Sequence, residues 1–466
     1  MRYISTRGGA PSVSFFDAML AGLAPDGGLY VPETWPSLSA EVIAAAATAP
    51  YADTAAAVLK MFSGDDLTFA DAIGLTEGAY GSQWANPAIT PLRQVGPGEY
   101  ILELFHGPSL AFKDVAMQLL AGLYDHILEQ RDARLSIICA TSGDTGGAAV
   151  EALKESHRVD VFVLMPEGRV SDIQRRFMTS SGADNIHALI IDSDFDGAQA
   201  IVKTLLSDTE FATKSALSPV NSINWARIMA QSVYYVVSSS ALSAGGLVNF
   251  TVPSGNFGDA LAGYMAKKMG APIGKIMIAT NANDGIAQAF ETGTYAKSTA
   301  SKITLSPAMD INVASNFERI MFEATGRDGP KLKALYANFE QSGSYDMGSD
   351  ALSFLQQHFD AFSVDDSEIR WALTDCYEQT GEVICPHTAV GWRARYDSEE
   401  ATGASVILAT AHPAKFPETV DEILGLSPSL PRHCADLFDR TERMTKLPAN
   451  VEAVKAFILS HIGAPT

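Results

Sequence analysis

From about residue 100 onward the chain repeats one pattern: a short run apolar on both faces, a glycine-rich turn, then an amphipathic stretch. The clearest runs are SIICA (136–140), VDVFVLM (159–165), IHALIID (186–192), LVNFTV (247–252), KIMIAT (275–280) and ASVILAT (404–410). A strand covered on both faces needs apolar residues at nearly every position, and crossover helices supply the cover. The pattern therefore predicts parallel strands in open α/β sheets, and 466 residues are too many for one ordinary core, so two sheets are expected. Residues 1–90 read differently, as a mostly helical region with Ala-rich stretches such as EVIAAAATA, broken by APDGGLYVPE. Residues 91–430 form the α/β region with two interleaved subdomains, and 431–466 read as a helical cap.

In open α/β sheets ligands bind beyond the carboxyl ends of the strands, so chemistry is expected in the turns that follow the runs. PSGNFGDALAGYMAKKMG (253–270) directly follows LVNFTV, with Gly255 and Gly258 flanking Asn256 and Phe257 and a helix beginning near Asp259. A strand, a glycine turn and a helix N-terminus present backbone N–H groups to an anion such as phosphate. Taken alone the same residues read more readily as a tight βα turn, since short glycine turns between strand and helix are common. ATSGDTGGAAVEAL (140–153) follows SIICA with the same logic: Ser142, Gly143, Asp144, Thr145 and Gly146 make an elbow able to hold a carboxylate, or an ordinary N-cap. Two such loops suggest a ligand with two anionic ends.

A third segment, FHGPSLAFKDVAMQLLAGLYDHI (105–127), places Ala116, Leu119, Leu120, Leu123 and Ile127 at helical spacing, so Lys113 lies at the start of a helix. A cation is misplaced at that end of the macrodipole. The handicap is useful if the amine must be neutral, because a positive helix end and the apolar neighbours Leu110, Ala111 and Phe112 both disfavour its charged form. A lone lysine there reads far more readily as a solvated surface charge.

The formal charge of -21, from 33 basic and 54 acidic residues, argues against nucleic acid or an anionic membrane as partner. It also means an anionic ligand must be drawn by local donors. The four cysteines, at 139, 376, 385 and 434, match no zinc spacing and suggest no metal; a reducing compartment is the simple reading. MRYISTRGGAPSV lacks an apolar stretch after its basic residues, and no run approaches the roughly 18 apolar residues of a membrane span, so a cytoplasmic protein is expected.

Taken in order, MRYISTRG, APDGGLYVPE, HGPSLAFKDVAMQ, ATSGDTGGAA, NSINWARI, PSGNFGD, ICPHTAVG and TAHPAKF closely resemble the threonine synthases, in the tryptophan synthase β-like group of pyridoxal-phosphate enzymes. The resemblance covers nearly the whole chain. It implies a fold-type II enzyme: two open, mostly parallel α/β sheets with the cofactor in the cleft between them. It implies that Lys113 bonds the cofactor aldehyde, that Gly255, Asn256, Phe257 and Gly258 cradle its phosphate, and that Thr410 hydrogen-bonds its pyridine nitrogen. A hydroxyl partner there favours elimination and replacement over transamination.

The implied reaction converts O-phospho-L-homoserine and water to L-threonine and phosphate, by γ-elimination and β-addition of water. Ser142, Gly143, Thr145 and Gly146 are the expected contacts of the substrate carboxylate. The wider group often carries Asn at position 144, so the role of Asp144 at this site stays open. For the substrate phosphate, Arg227 offers a bidentate fork, with Asn221 and Asn224 on the same segment and Ser109 as a further donor; Arg227 could equally pair with a carboxylate of the fold. His387 and Thr388 are expected to line the cleft or to serve structurally, and His412 to be positional. The alternatives are a phospho-lyase of the same family acting on another phosphorylated amino alcohol, and a non-catalytic ligand-binding relative. Monomer and homodimer are equally compatible with the sequence.

Overall fold

The computed structural model describes residues 1–141, 143–168, 170–220, 222–298, 300–397 and 403–462. The chain divides into two compact units. One comprises Met1–Glu77, Ala88–Phe105 and Ser222–Pro428; the other Gly78–Pro87, His106–Asn221 and Ser429–Thr466.

The first unit is built on a six-stranded sheet in the order Phe359–Ser363, Ile273–Thr280, Val248–Pro253, Ser405–Ala409, Glu99–Glu103, Leu92–Gly96. Neighbours run parallel up to Glu99–Glu103, and only the Leu92–Gly96 edge is antiparallel. That edge is reached through a hairpin turn at Gly98, whose φ of 74° suits glycine. Met277, Ala279, Ile407 and Ala409 pack against Ile369, Leu373 and Cys376 of helix Asp366–Thr380 and Val390 and Trp392 of helix Pro386–Ala394. Tyr235, on helix Trp225–Leu242, meets Phe250 of the strand Val248–Pro253 with ring centroids 4.8 Å apart. The hydroxyls of Tyr234 and Tyr235 donate to the buried Asp259 carboxylate at 2.5 and 2.9 Å, which fastens that helix to Gly258–Lys268. The N-terminal region is helical at Phe15–Ala21, Ala40–Ala46 and Tyr51–Ser63, and it carries an antiparallel ribbon of Tyr3–Ser5 with Tyr30–Pro32.

The second unit is a five-stranded, wholly parallel sheet in the order Thr445–Leu447, Ile186–Ile191, Val159–Pro166, Leu135–Ala140, Leu217–Pro219. Val159–Pro166 lies at its centre and every residue of it is buried, as its almost wholly apolar run requires; the exception, Asp160, is paired with Arg134 at 3.3 Å. Ile138, Phe162, Leu164 and Leu189 pack with Ala198, Ile201 and Leu205 of helix Phe195–Ser207 and with Val454 and Ile458 of helix Val451–His461.

All six apolar runs form strands, and the fold is that of a mixed, mostly parallel α/β protein. The segment expected as a helical cap differs, because it also supplies an edge strand, Thr445–Leu447, paired to Leu189–Ile191. Only three residues long and mostly exposed, that strand has no two-faced apolar run to announce it. Among the described residues, no helix is long and apolar enough to cross a membrane.

Glu442 anchors this C-terminal segment. It accepts from Arg175 Nε at 2.9 Å and Nη2 at 3.1 Å and from the Thr179 hydroxyl at 2.7 Å. The Arg175 guanidinium holds its carboxyl below the usual range. A depressed acid stabilises the fold above its ordinary pKa, and the contribution is lost as pH falls through the folded value. Hydrogen-exchange protection at Thr445–Leu447, corrected for the intrinsic pH dependence of amide exchange, is expected to be high at neutral pH and to fall on acidification through that range. In Glu442→Gln the exchange should be faster already at neutral pH, with this acid step removed; an unchanged profile would contradict the anchor.

Candidate active site

Lys113 is the first residue of helix Lys113–Gln130, whose face of Ala116, Leu119, Leu120, Leu123 and Ile127 is buried as the spacing predicted. The turn before it is tightly specified. The Ser109 N–H and hydroxyl donate to the two oxygens of the buried Asp114 at 2.8 and 2.7 Å. A side chain at Gly107 would stand 2.5 Å from Asp114, and Leu110 is held at φ 61° with its side chain buried against Ile173 and Phe177. A left-handed leucine persists only where its surroundings over-determine it. Ser109 is thus placed as a strut of the lysine turn, with its proton given to Asp114.

The Lys113 amine lies 3.5 Å from Asp144 Oδ2 and 4.9 Å from the Phe112 ring centroid, and its side chain is mostly buried. The niche is therefore less apolar than its flanking residues suggested, since a buried carboxylate faces the amine. The other Asp144 oxygen accepts from Gln174 Nε2 at 3.1 Å. Gly143 has φ 146°, and a Cβ there would fall 2.4 Å from Gln174 Cδ, so only glycine lets Gln174 close on the elbow. The amides of Gly143 and Gly146 donate to Thr141 Oγ1 at 3.0 and 3.2 Å. Thr141, which sequence reasoning passed over, thus takes up two of the donors expected for a substrate carboxylate. Thr145 is half-buried and its hydroxyl has no partner among the described residues. Ser142 and Asn221 lie outside the described residues.

In the other unit the strand Val248–Pro253 ends in the turn 254–257 and helix Gly258–Lys268 begins. The Asn256 side chain is a strut: Nδ2 donates to Ser222 Oγ at 2.6 Å and Oδ1 accepts from Ser315 N–H at 2.8 Å. Phe257 is left-handed at φ 62°, its buried ring packed against Phe317 and Phe359 with centroids 5.4 Å away in each case. A Cβ on Gly255 would come within 2.9 Å of Ile311 and 3.0 Å of the Met309 backbone. Among the described residues, the N–H groups of Gly255, Asn256 and Phe257 bond to nothing, and the buried Ser254 hydroxyl has no partner. Buried polar groups are normally satisfied, so this convergence of unspent donors fits a phosphate. Ser254 was missed in the sequence, although a hydroxyl between a strand end and a glycine turn is the same signal that singled out residues 142–146.

Thr410 directly follows the strand Ser405–Ala409; it is buried, and its hydroxyl also has no partner among the described residues, as a group awaiting a ring nitrogen would. His387 Nε2 accepts from Ala308 N–H at 3.1 Å, which puts the ring proton on Nδ1 and holds the Pro307–Met309 turn that stands against Gly255. Thr388 is buried with its hydroxyl 3.2 Å from Cys385 Sγ, and His412 Nδ1 accepts from Ala414 N–H at 3.1 Å. Arg227 is buried in the first turn of helix Trp225–Leu242. Asn224 is that helix's N-cap: Oδ1 accepts from Ala226 N–H at 3.0 Å and Nδ2 donates to Met19 O at 2.9 Å. Asn224 thus orients the helix that carries Arg227.

Known proteins share this sequence and fold. Residues 2–80 match the family described as Threonine synthase N terminus, 87–410 that described as Pyridoxal-phosphate dependent enzyme, and 388–458 that described as Threonine synthase, C-terminal. A threonine synthase of Pseudomonas aeruginosa is 45% identical over 464 residues, covering 99% of this chain and 98% of that protein. A crystal structure of PLP-bound threonine synthase from Brucella melitensis is similar with a TM-score of 0.97 at 46% identity over 99% of both chains. The threonine synthase of yeast gives 0.93 at 35% identity over 99% of this chain and 98% of its own.

Gly255→Ala should test the cradle. Crowding the Met309 backbone costs on the order of 1–3 kcal/mol when a packed site cannot relax. Pyridoxal-phosphate affinity, titrated by absorbance, is expected to fall about tenfold or more with the circular dichroism spectrum unchanged. Wild-type affinity in the variant would sink the assignment.

Proposed function

The chain belongs to the threonine synthase family of pyridoxal-phosphate-dependent enzymes, and from that premise we propose that it converts O-phospho-L-homoserine and water to L-threonine and phosphate. The observation that carries the reading is likeness to threonine synthases along 99% of the chain at 45–46% identity. It takes in the Lys113 helix, the 143–146 elbow and the 254–258 turn alike.

When bound, pyridoxal phosphate supplies an electron sink for the electrons left on the substrate's α carbon. Lys113, placed at a helix start with a mostly buried amine, bonds the cofactor and, when substrate displaces it, carries the proton from the α carbon. Asp144, 3.5 Å away, provides the counter-charge when that amine is protonated. The donors of 254–257 hold the cofactor phosphate, and Thr410 meets the ring nitrogen. Thr145, with Ser142 and the backbone N–H groups of 144 and 145, which Thr141 does not take up, receives the substrate carboxylate; Arg227, with Asn221 nearby in sequence, receives its phosphate. Over the reaction a β C–H bond and the γ C–O bond break and phosphate departs with the electron pair of that C–O bond. The γ carbon gains a proton to become a methyl group, the oxygen of water bonds the β carbon, and the α proton is returned, so that substrate and water give threonine and phosphate. The protein's task is to orient the bonds and keep water out until phosphate has left.

All four cysteines are buried and none forms a disulfide among the described residues, which supports a cytoplasmic, reducing setting for this reaction.

The decisive assay is phosphate release together with threonine formation from O-phospho-L-homoserine, run beside phosphoethanolamine. Turnover of the former and none of the latter is expected; the reverse would favour the phospho-lyase reading. Lys113→Ala should lose activity by at least about 10³-fold, in line with removal of a covalent and general-base group. Retained turnover would refute the assignment of Lys113.

A further inference from the structure

Behind the 254–258 turn lies a charge that the reaction as described does not use. Arg319, in helix Phe317–Ala324, is 1% exposed. Its three nitrogens donate to neutral acceptors: Nε to Tyr30 O at 3.0 Å, Nη1 to Asn316 Oδ1 at 2.5 Å and Nη2 to Ile223 O at 2.6 Å. Among the described residues no carboxylate bonds it. Glu318, the one carboxylate whose field reaches it, is bonded to Arg7 at 3.1 Å and to the Thr6 hydroxyl at 2.6 Å. Burial pushes the guanidinium pKa down to about 9, so the group remains a cation at neutral pH but an under-compensated one. The Trp225 ring, 5.5 Å from the guanidinium carbon, is its remaining electrostatic partner.

One residue separates this cation from the phosphate turn. Asn316 is fully buried: its Oδ1 takes Arg319, its Nδ2 donates to Ser222 O at 3.1 Å, and its N–H donates to Asn256 O at 3.2 Å. Its amide nitrogen would be 3.3 Å from a Cβ on Gly258. Ser222 in turn accepts from Asn256 at 2.6 Å. Arg319 therefore fixes the amide orientation of Asn316, whose N–H holds the Asn256 carbonyl while Ser222 holds the Asn256 side chain.

We infer that Arg319 is a positioning residue for the cofactor phosphate: through Asn316 it sets the turn, and its buried positive charge is balanced by the dianion bound there. The inference rests on reading 254–258 as the phosphate cradle. A purely structural arginine would brace the turn for any ligand. A charge-balancing one favours only a ligand that carries the phosphate.

The test compares pyridoxal phosphate with pyridoxal, which lacks the phosphate, titrated into full-length enzyme stripped of cofactor, with dissociation constants read by absorbance. In Arg319→Met, affinity for pyridoxal phosphate is expected to fall about tenfold or more while that for pyridoxal stays within about twofold, and Arg319→Lys should recover most of the loss. Equal weakening of both ligands in Arg319→Met, or of neither, overturns the inference. Should Arg319→Met fail to fold, Asn316→Asp keeps the size and sets a carboxylate on Arg319, giving up the Nδ2 bond to Ser222 O, a loss that would affect pyridoxal phosphate and pyridoxal alike. Beyond that common loss it too should weaken pyridoxal phosphate selectively, and full phosphate affinity in it would be contrary. Gly255→Ala separates the two levels. If it loses phosphate selectivity while Arg319→Met does not, only the role of Arg319 falls. If Gly255→Ala weakens both ligands equally, the cradle reading falls and this inference with it.

Discussion

An acidic chain that must hold a phosphate dianion has to concentrate donors locally, because its overall field repels the ligand. With a formal charge of -21, this protein would meet that constraint through backbone geometry on the proposed reading of the 254–257 turn. At that turn three N–H groups and a serine hydroxyl meet no acceptor among the described residues. Such an arrangement is costly without ligand, since unpaired donors forgo hydrogen bonds and Phe257 sits in a left-handed conformation. The surroundings hold it in place: Phe317 and Phe359 grip the Phe257 ring, Asn256 is tied at both ends of its amide, and the His387-held Pro307–Met309 turn leaves room only for glycine at 255. The same device recurs at the lysine turn, where Leu110 is left-handed and Asp114 gathers Ser109. Each candidate turn thus carries one strained non-glycine residue backed by a buried aromatic or aliphatic cluster.

Much of this was legible in the sequence, for a physical reason. A strand covered on both faces must be apolar throughout, so the six central strands declared themselves, whereas Glu99–Glu103, Phe359–Ser363, Leu217–Pro219 and Thr445–Leu447 did not. These are short, interrupted by polar residues, or at a sheet edge, where one face or one row of backbone groups meets solvent. Their pairing is decided by neighbours far away in the chain, as Thr445–Leu447 on Leu189–Ile191 illustrates.

The site divides along the same line. Lys113, Gly255 and Gly258 were visible because helix starts and glycine turns are local events. Asn224 could have been recognised as an N-cap from its place before an apolar helix, and Ser254 from its position beside the glycine turn. Ser222, Asn316 and Arg319 carried no local signal at all. Arg319 follows Glu318 in FERIMFEA, a charged pair of residues with nothing local to mark it as buried, yet both side chains are buried and bonded to different partners. Tertiary contact alone assigns them.

Asp144 shows why a motif position must be read with its neighbours. In isolation, a carboxylate in a loop expected to receive another carboxylate is electrostatically perverse, because like charges at close range repel. In the fold, one of its oxygens faces the Lys113 amine and the other accepts from Gln174, so its charge is directed at the lysine. An incoming carboxylate would then meet the Thr145 hydroxyl and the positive end of helix Asp144–Leu153. A neutral amide at the same position could also accept from Gln174, but it would take away the carboxylate that faces the Lys113 amine. The carboxylate thus belongs more naturally to the proton chemistry of the lysine than to substrate binding.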